Sequence, residues 1–93
     1  MTIHAAQRKL GELIIVLRKQ CNLGVKALAQ KSRVQKKHIL QIQCGIGPFV
    51  EDTIKRILNV FQVEDLNILS RIKECMNVIW PVPRGPVFRS ALI

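Results

Sequence analysis

Groupings of side chains that support catalysis or metal binding are scarce in this chain of 93 residues. The three cysteines, Cys21, Cys44 and Cys75, include no Cys-x-x-Cys pair, and the two histidines, His4 and His38, are not at metal-ligand spacing. This odd number of cysteines indicates neither a disulfide framework nor a zinc site. Ser/His/Asp sets, paired carboxylates and glycine-rich phosphate loops are also absent. We therefore expect no metal, no cofactor and no enzymatic activity.

Long hydrophobic runs are missing as well. The longest, residues 13–17, is far too short to span a bilayer, and the N-terminus lacks the pattern of a cleavable signal. The apolar fraction of 48% nevertheless suffices for a compact core. Ninety-three residues allow one domain, and a domain this small buries limited surface, which favours a dimer. Reduced thiols fit a cytoplasmic protein without membrane contact.

Acidic residues are few, with six Asp or Glu against fifteen Lys or Arg, and the net charge is +9. The charge is uneven. Residues 1–45 carry nine Lys or Arg and one acidic residue, Glu12, whereas residues 46–93 carry six basic and five acidic residues. A strongly basic half predicts a nucleic-acid partner. The alternative is a solvated basic surface that only aids solubility.

Apolar side chains recur at intervals of three and four residues in five ranges, which predicts five helices. The predicted ranges are residues 5–21, 25–31, 35–43, 49–61 and 64–76. Gly45 and Pro48 close the third helix, and Asn22, which tolerates the left-handed conformation, ends the first. The first helix shows an apolar stripe at Leu10, Leu13, Ile14 and Leu17. The fifth shows one at Leu66, Leu69, Ile72 and Met76, with Ile68 and Cys75 beside it. Residues 5–76 are therefore predicted to form an all-α domain.

Residues 25–43 predict two short helices joined by a tight turn at residues 32–34. Apolar side chains at Leu28, Val34, Ile39 and Ile42 form the buried side. The outer side of the second helix is polar and basic and comprises Lys36, Lys37, His38, Gln41 and Cys44. Lys and Gln reach phosphates and base edges in a DNA major groove. This arrangement is typical of a helix-turn-helix unit.

Residues 77–93 differ in character and form a Pro-rich C-terminal extension. Proline and glycine at positions 81–86 exclude a helix there, and short strands are expected at residues 78–80 and 87–93. The extension is too apolar for an ordinary disordered tail. We predict dimer or partner contacts through this end of the chain. The candidate residues are Leu69, Ile72, Trp80 and Phe88.

From residue 10 to residue 63 the chain resembles the lambda-repressor/Cro-like (XRE-type) family of bacterial and phage DNA-binding domains. The matching residues are Gly11, Ile14, Leu17, Arg18, Leu28, Ala29, Val34, Ile39, Ile42, Gly45, Ile54, Leu58 and Phe61. The resemblance implies a five-helix domain that binds a near-palindromic operator as a dimer. It would be a bacterial or phage-encoded, nucleoid-associated protein.

The resemblance also implies roles for individual residues. The helix from Gln35 to Gln43 would enter the major groove of double-stranded DNA. Its base-contacting residues would be Lys36, Lys37, His38 and Gln41. Phosphates would be held by Lys26, Arg33 and Arg18.

Three positions depart from the family pattern. Val25 stands where glutamine is frequent, so only backbone amides remain for a phosphate at that helix start. Arg33 replaces the usual turn glycine, and a non-glycine residue at positive φ is strained. We therefore expect either a different turn or an Arg33 side chain directed at a phosphate. Gln43 replaces a glutamate, so Arg18 is expected to form a hydrogen bond with Gln43 rather than an ion pair.

The leading hypothesis is a sequence-specific transcriptional regulator. Two alternatives stay open. An antitoxin-type or other protein-interaction module would bind a partner through the C-terminal extension and DNA for autoregulation, and a copurifying second chain would favour it. A nonspecific architectural protein would bind operator and random DNA with similar affinity. Cys44 is expected to be a buried or half-buried thiol rather than an oxidation sensor.

Overall fold

The computed structural model describes residues 1–81, which form five helices. The helices are α1 (Ile3–Gln20), α2 (Val25–Ser32), α3 (Lys36–Gln43), α4 (Glu51–Phe61) and α5 (Leu66–Ile79). Residues 1–81 contain no strand. The prediction of an all-α domain with five helices is confirmed, and each helix end lies within three residues of its predicted position.

The core forms where the apolar faces of the five helices meet. Helix α1 packs on α5 and α3, while α2 packs on α3 and α4. Every helix contributes at least one fully buried side chain. These are Leu10, Ile14, Leu28, Ile39, Ile42, Ile54, Ile57 and Cys75. The predicted stripe of α1 is confirmed, since none of its four members is more than 5% exposed.

The buried face of α5 differs from the predicted one. Leu66, which was predicted to lie on the apolar stripe, is 78% exposed, whereas Cys75 is 1% exposed. The observed face follows Ile68, Ile72, Cys75 and Ile79. It shares Ile72 with the predicted stripe, so apolar spacing alone cannot choose between them. Packing of α5 on α1 selects the face that contains Cys75.

The prediction of a strand at residues 78–80 is wrong, because α5 continues through Ile79. Trp80 then caps the helix, and its N–H donates to the carbonyl oxygen of Met76 at 2.7 Å. Pro81 follows and has no N–H with which to continue the helix. Val78, Ile79 and Trp80 pack against the core. The strand predicted at residues 87–93 lies outside the described residues.

Helices α1 and α3 approach each other closely at Gly11. A Cβ atom on this residue would lie 2.4 Å from the carbonyl oxygen of Ile42 and 2.8 Å from that of Gln43. Further along α1, Arg18 Nε donates a hydrogen bond to Gln43 Oε1 at 3.0 Å. The expected Arg18–Gln43 hydrogen bond is thus confirmed. Together these contacts hold the C-terminal end of α3 against α1.

Two helix ends use the left-handed conformation where it was expected. Asn22 has a φ of 52° after α1, and Gly45 has a φ of 77° after α3. The Leu23 N–H reaches back to the carbonyl oxygen of Arg18 at 2.8 Å, and the Ile46 N–H reaches that of Gln41 at 3.0 Å. These bonds satisfy carbonyl groups that the helix ends leave open.

Candidate nucleic-acid interface

Residues 33–35 join α2 to α3, and this turn sets the direction of α3. Arg33 adopts the left-handed conformation, with φ 59° and ψ 35°. The N–H of Val34 donates to the carbonyl oxygen of Ala29 at 3.2 Å, and the Val34 side chain is 7% exposed. The expectation of a different turn is therefore wrong. The chain makes the left-handed turn with arginine, at a cost of roughly 1–2 kcal/mol relative to glycine.

One side of helix α3 is buried in the core, and its other side faces outward. Ile39 and Ile42 are completely buried. Lys36 and Lys37 are exposed, and Gln41 is half-buried. Lys37 and Gln41 are separated by one helical turn and lie on the same face. Lys37 in the charged first turn of α3 and the side-chain amide of Gln41 therefore belong to one surface.

His38 and Cys44 complete the set of residues predicted on the outer side of α3. His38 is half-buried. Cys44 caps the helix and is exposed, so the prediction of a buried or half-buried thiol is wrong. Its position just past the last turn of α3 leaves no helix packed over it, which the apolar spacing did not reveal.

Leu40 also belongs to the outer side of α3, and the sequence reasoning missed it. Its side chain is 42% exposed. It lies three residues after Lys37 and four before Cys44, so helical periodicity alone would have placed it there. An apolar side chain beside Lys and Gln can contact the methyl group of thymine. Leu40 therefore adds an apolar element to a polar surface.

The predicted phosphate contacts fall into two groups. Lys26, in the first turn of α2, and Arg33, in the turn, are both exposed. Arg18 is half-buried and donates hydrogen bonds within the protein, to Gln43 and to the carbonyl oxygen of Leu23 at 3.3 Å. These bonds make Arg18 a brace for α3 and for the loop before α2. Of the three predicted phosphate contacts, Lys26 and Arg33 are the exposed ones.

Negative charge is absent from the stretch that contains this surface. Between Glu12 and Glu51 there are seven Lys or Arg and no Asp or Glu. Within residues 1–81 the ion pairs both lie on α4, where Lys55 contacts Glu51 at 3.4 Å and Arg56 contacts Asp52 at 3.1 Å. Within that part of the chain no carboxylate pairs with the lysines of α2 and α3, so their ammonium groups are open to a ligand.

The residues predicted to contact a partner do not form one exposed surface. Ile72 is 3% exposed and belongs to the core of its own chain, so its predicted role is corrected. Leu69 is half-buried, and the half-buried Trp80 packs against the core. Phe88 lies outside the described residues.

The three cysteines have different environments. Cys21 and Cys44 are exposed and Cys75 is buried. Burial raises the pKa of the Cys75 thiol above its ordinary value of 9.0, and the nearby Glu74 carboxylate raises it further. Cys75 is accordingly a neutral core side chain at physiological pH.

Residues 1–81 contain no cluster of three side chains that could hold a metal ion. No helix in that part of the chain is long and apolar enough to cross a membrane. Comparison of the chain with known protein families, with curated proteins and with solved structures finds no match. The geometry and charge of α2, the turn and α3 are therefore the features that indicate a function.

Proposed function

We propose that this chain is a sequence-specific DNA-binding regulator of the lambda-repressor/Cro-like (XRE-type) helix-turn-helix class. One observation carries the proposal. Helix α3 follows α2 after three residues, is fixed by Ile39 and Ile42, and presents Lys36, Lys37 and Gln41 on its other side. A short helix with a rigid buried side and a basic, amide-bearing outer side suits insertion into a major groove.

In the proposed complex the outer side of α3 reads base edges. Lys37 donates to guanine O6 and N7, and Gln41 bonds adenine N6 and N7. Leu40, between them on the helix, contacts a thymine methyl group. Lys36 and His38 lie in the same first turn of α3 and complete the base-reading set.

Phosphate contacts set the register of the protein on the duplex. Lys26 approaches the backbone from the first turn of α2, and Arg33 does so from the turn. The N-cap of α2 is Gly24, which offers no side-chain hydrogen bond, so no capping group competes for the first-turn amides. Those amides and the positive end of the helix dipole favour a phosphate there.

The proposal includes a homodimer on a near-palindromic operator. Two recognition helices related by a two-fold axis would enter successive major grooves about 34–36 Å apart. The resulting regulator would act in the cytoplasm on the DNA that carries its operator. A dimer also doubles the number of phosphate contacts and therefore steepens the dependence of affinity on salt.

The experiment is selection of bound duplexes from a random pool, followed by titration of the enriched sequence and a scrambled version of it. We expect enrichment of a near-palindromic site that is bound more tightly than the scrambled duplex, typically by 10³-fold or more. Equal affinity for both duplexes would instead establish a nonspecific architectural protein. A pool that shows no binding at low salt would reject a DNA-binding function altogether.

A further inference from the structure

A second basic feature lies outside the face of α3. A cleft of about 620 Å³ separates the C-terminal end of α2 from the C-terminal half of α4. Its lining combines three cations and two amides with one hydroxyl and one apolar side chain. The residues are Lys31, Ser32, Arg33, Arg56, Asn59, Val60 and Gln62. We refer to it below as the α2–α4 cleft.

The chemistry of the α2–α4 cleft fits an extended anion. No carboxylate lines it, and Val60 is its only apolar lining residue. Sites for small molecules are mostly apolar and enclose the ligand, whereas this cleft is polar and open. Guanidinium, ammonium and side-chain amide groups are the donors that proteins direct at phosphate oxygens. A sugar-phosphate backbone that runs across the surface satisfies these donors without being enclosed.

The cleft is continuous with the proposed DNA-reading surface. Arg33 is both a wall of the cleft and the turn residue that precedes α3. Lys36 begins α3 three residues later. A duplex that meets the first turn of α3 and the Arg33 side chain therefore has its backbone next to the cleft.

Arg56, the cation that α4 contributes to the cleft, can leave its ion pair with little loss of stability. Arg56 pairs with Asp52 at 3.1 Å, but the side chains are 55% and 73% exposed. Exposed pairs of this kind contribute little to stability. The Arg56 guanidinium can therefore exchange Asp52 for a phosphate, and it needs only a change of rotamer to do so.

We propose that the α2–α4 cleft binds phosphates of the DNA backbone beside the site that α3 reads, through Lys31, Arg33 and Arg56. The inference rests on the proposed DNA-binding function and extends the protein's footprint from α2 and α3 to α4. It predicts contacts that strengthen binding to every sequence equally, because the backbone is the same in all of them.

The test compares Arg56→Gln with Lys55→Gln. Both cations are exposed residues of α4, and each pairs with a carboxylate four residues earlier. The two substitutions therefore remove the same charge and the same type of ion pair, but Lys55 does not line the cleft. Affinity for the enriched and the scrambled duplex is measured at several salt concentrations, and thermal melts verify folding.

We expect Arg56→Gln to weaken binding to both duplexes by roughly fivefold near physiological salt, as one lost phosphate contact predicts. The slope of log affinity against log salt should become shallower by about one unit. Lys31→Gln should behave in the same way, and the double variant should lose about two units of slope. Lys55→Gln should leave the slope unchanged.

Equal effects of Arg56→Gln and Lys55→Gln would overturn the proposal, since only a long-range field would then be acting. A selective loss of affinity for the enriched duplex would also overturn it, because Arg56 would then read bases. The wild-type titrations keep the two proposals apart. If the wild type prefers the enriched duplex and Arg56→Gln keeps the full salt slope, the cleft proposal alone fails; if the wild type has no preference, sequence-specific regulation fails.

Discussion

Replacing Gly11 by alanine tests how α3 is held against α1. In an unhindered helix interior this change stabilises a protein by about 1 kcal/mol, because glycine is a poor helix former. Here the new Cβ would lie 2.4 Å from the Ile42 carbonyl oxygen and 2.8 Å from that of Gln43. Both neighbours are backbone atoms, so no change of rotamer relieves the contact. The sign of the effect should therefore reverse.

The size of the effect follows from the two opposing contributions. Overpacking a close-packed interior costs about 1–3 kcal/mol, and a contact between a methyl group and rigid backbone belongs at or above the upper end of that range. After subtraction of the gain in helix propensity, Gly11→Ala should lower the free energy of unfolding by about 2 kcal/mol. For a domain of this size that corresponds to a decrease in Tm of roughly 8–16 °C.

Thermal and urea unfolding followed by circular dichroism measure this change. Gly24→Ala is the matched control, because a Cβ at Gly24 would meet no atom within 4 Å. As an N-cap substitution it should cost less than about 1 kcal/mol. If Gly11→Ala proved as stable as the wild type, the close crossing of α1 and α3 would be wrong. Because the strain falls on the C-terminal end of α3, the same variant should also bind DNA more weakly.

Arg33→Gly removes an arginine from the left-handed conformation, so the free energy of unfolding should rise by up to about 1 kcal/mol after the entropic cost of glycine is subtracted. The same variant should bind all DNA more weakly. The control Arg33→Ala should also weaken binding but should not gain stability, and equal stabilities of the two variants would contradict the turn geometry. Gln43→Leu leaves Arg18 one acceptor short and should cost about 1–3 kcal/mol in urea unfolding, so an unchanged midpoint would contradict the bond. Because burial raises the pKa of Cys75, the neutral thiol stabilises the fold fully below the ordinary value of 9.0. This contribution is lost as pH rises through the higher pKa that the Cys75 thiol has in the folded protein, so the urea midpoint should fall at alkaline pH. Cys75→Ala should abolish that part of the fall, and an identical fall in the variant and the wild type would refute the role of Cys75.

The sequence predicted the parts of this fold that depend on local signals. Apolar spacing located all five helices, and the stripe of α1 was correct because its four members fit a single helical face. The pairing of Arg18 with Gln43 was predicted through the family resemblance, in which an arginine and a carboxylate occupy these positions. Asn22 and Gly45 marked helix ends because their residue types tolerate positive φ.

The errors arise where long-range packing decides between local options. On α5 two apolar stripes share Ile72, and only contact with α1 selects the one that buries Cys75 and exposes Leu66. At Arg33 residue preference argued against positive φ, but the burial of Val34 and the fixed position of α3 hold the backbone there. Tertiary packing outweighs a local cost of about 1–2 kcal/mol at that position.

The α2–α4 cleft was invisible in the sequence for a different reason. Lys31 at the end of α2 and Arg33 in the following turn supply the cations on one side, and Arg56 of α4, more than twenty residues later, supplies the cation on the other. No periodicity links such positions, and only the packing of α2 on α4 brings them together. The excess of positive charge in residues 1–45 also points to that half alone as the nucleic-acid-binding part, and Arg56 lies outside it.

The most direct test of the central claim is a pair of titrations, with the enriched duplex and its scrambled version, at one fixed salt concentration. Gln41→Ala should lose roughly 1–3 kcal/mol on the enriched duplex and much less on the scrambled one. Lys37→Ala should reduce the ratio of the two affinities in the same way. Gln20→Ala, an exposed glutamine at the end of α1, serves as the control and should leave the ratio unchanged. If neither Gln41→Ala nor Lys37→Ala changes the ratio, α3 is not the recognition helix.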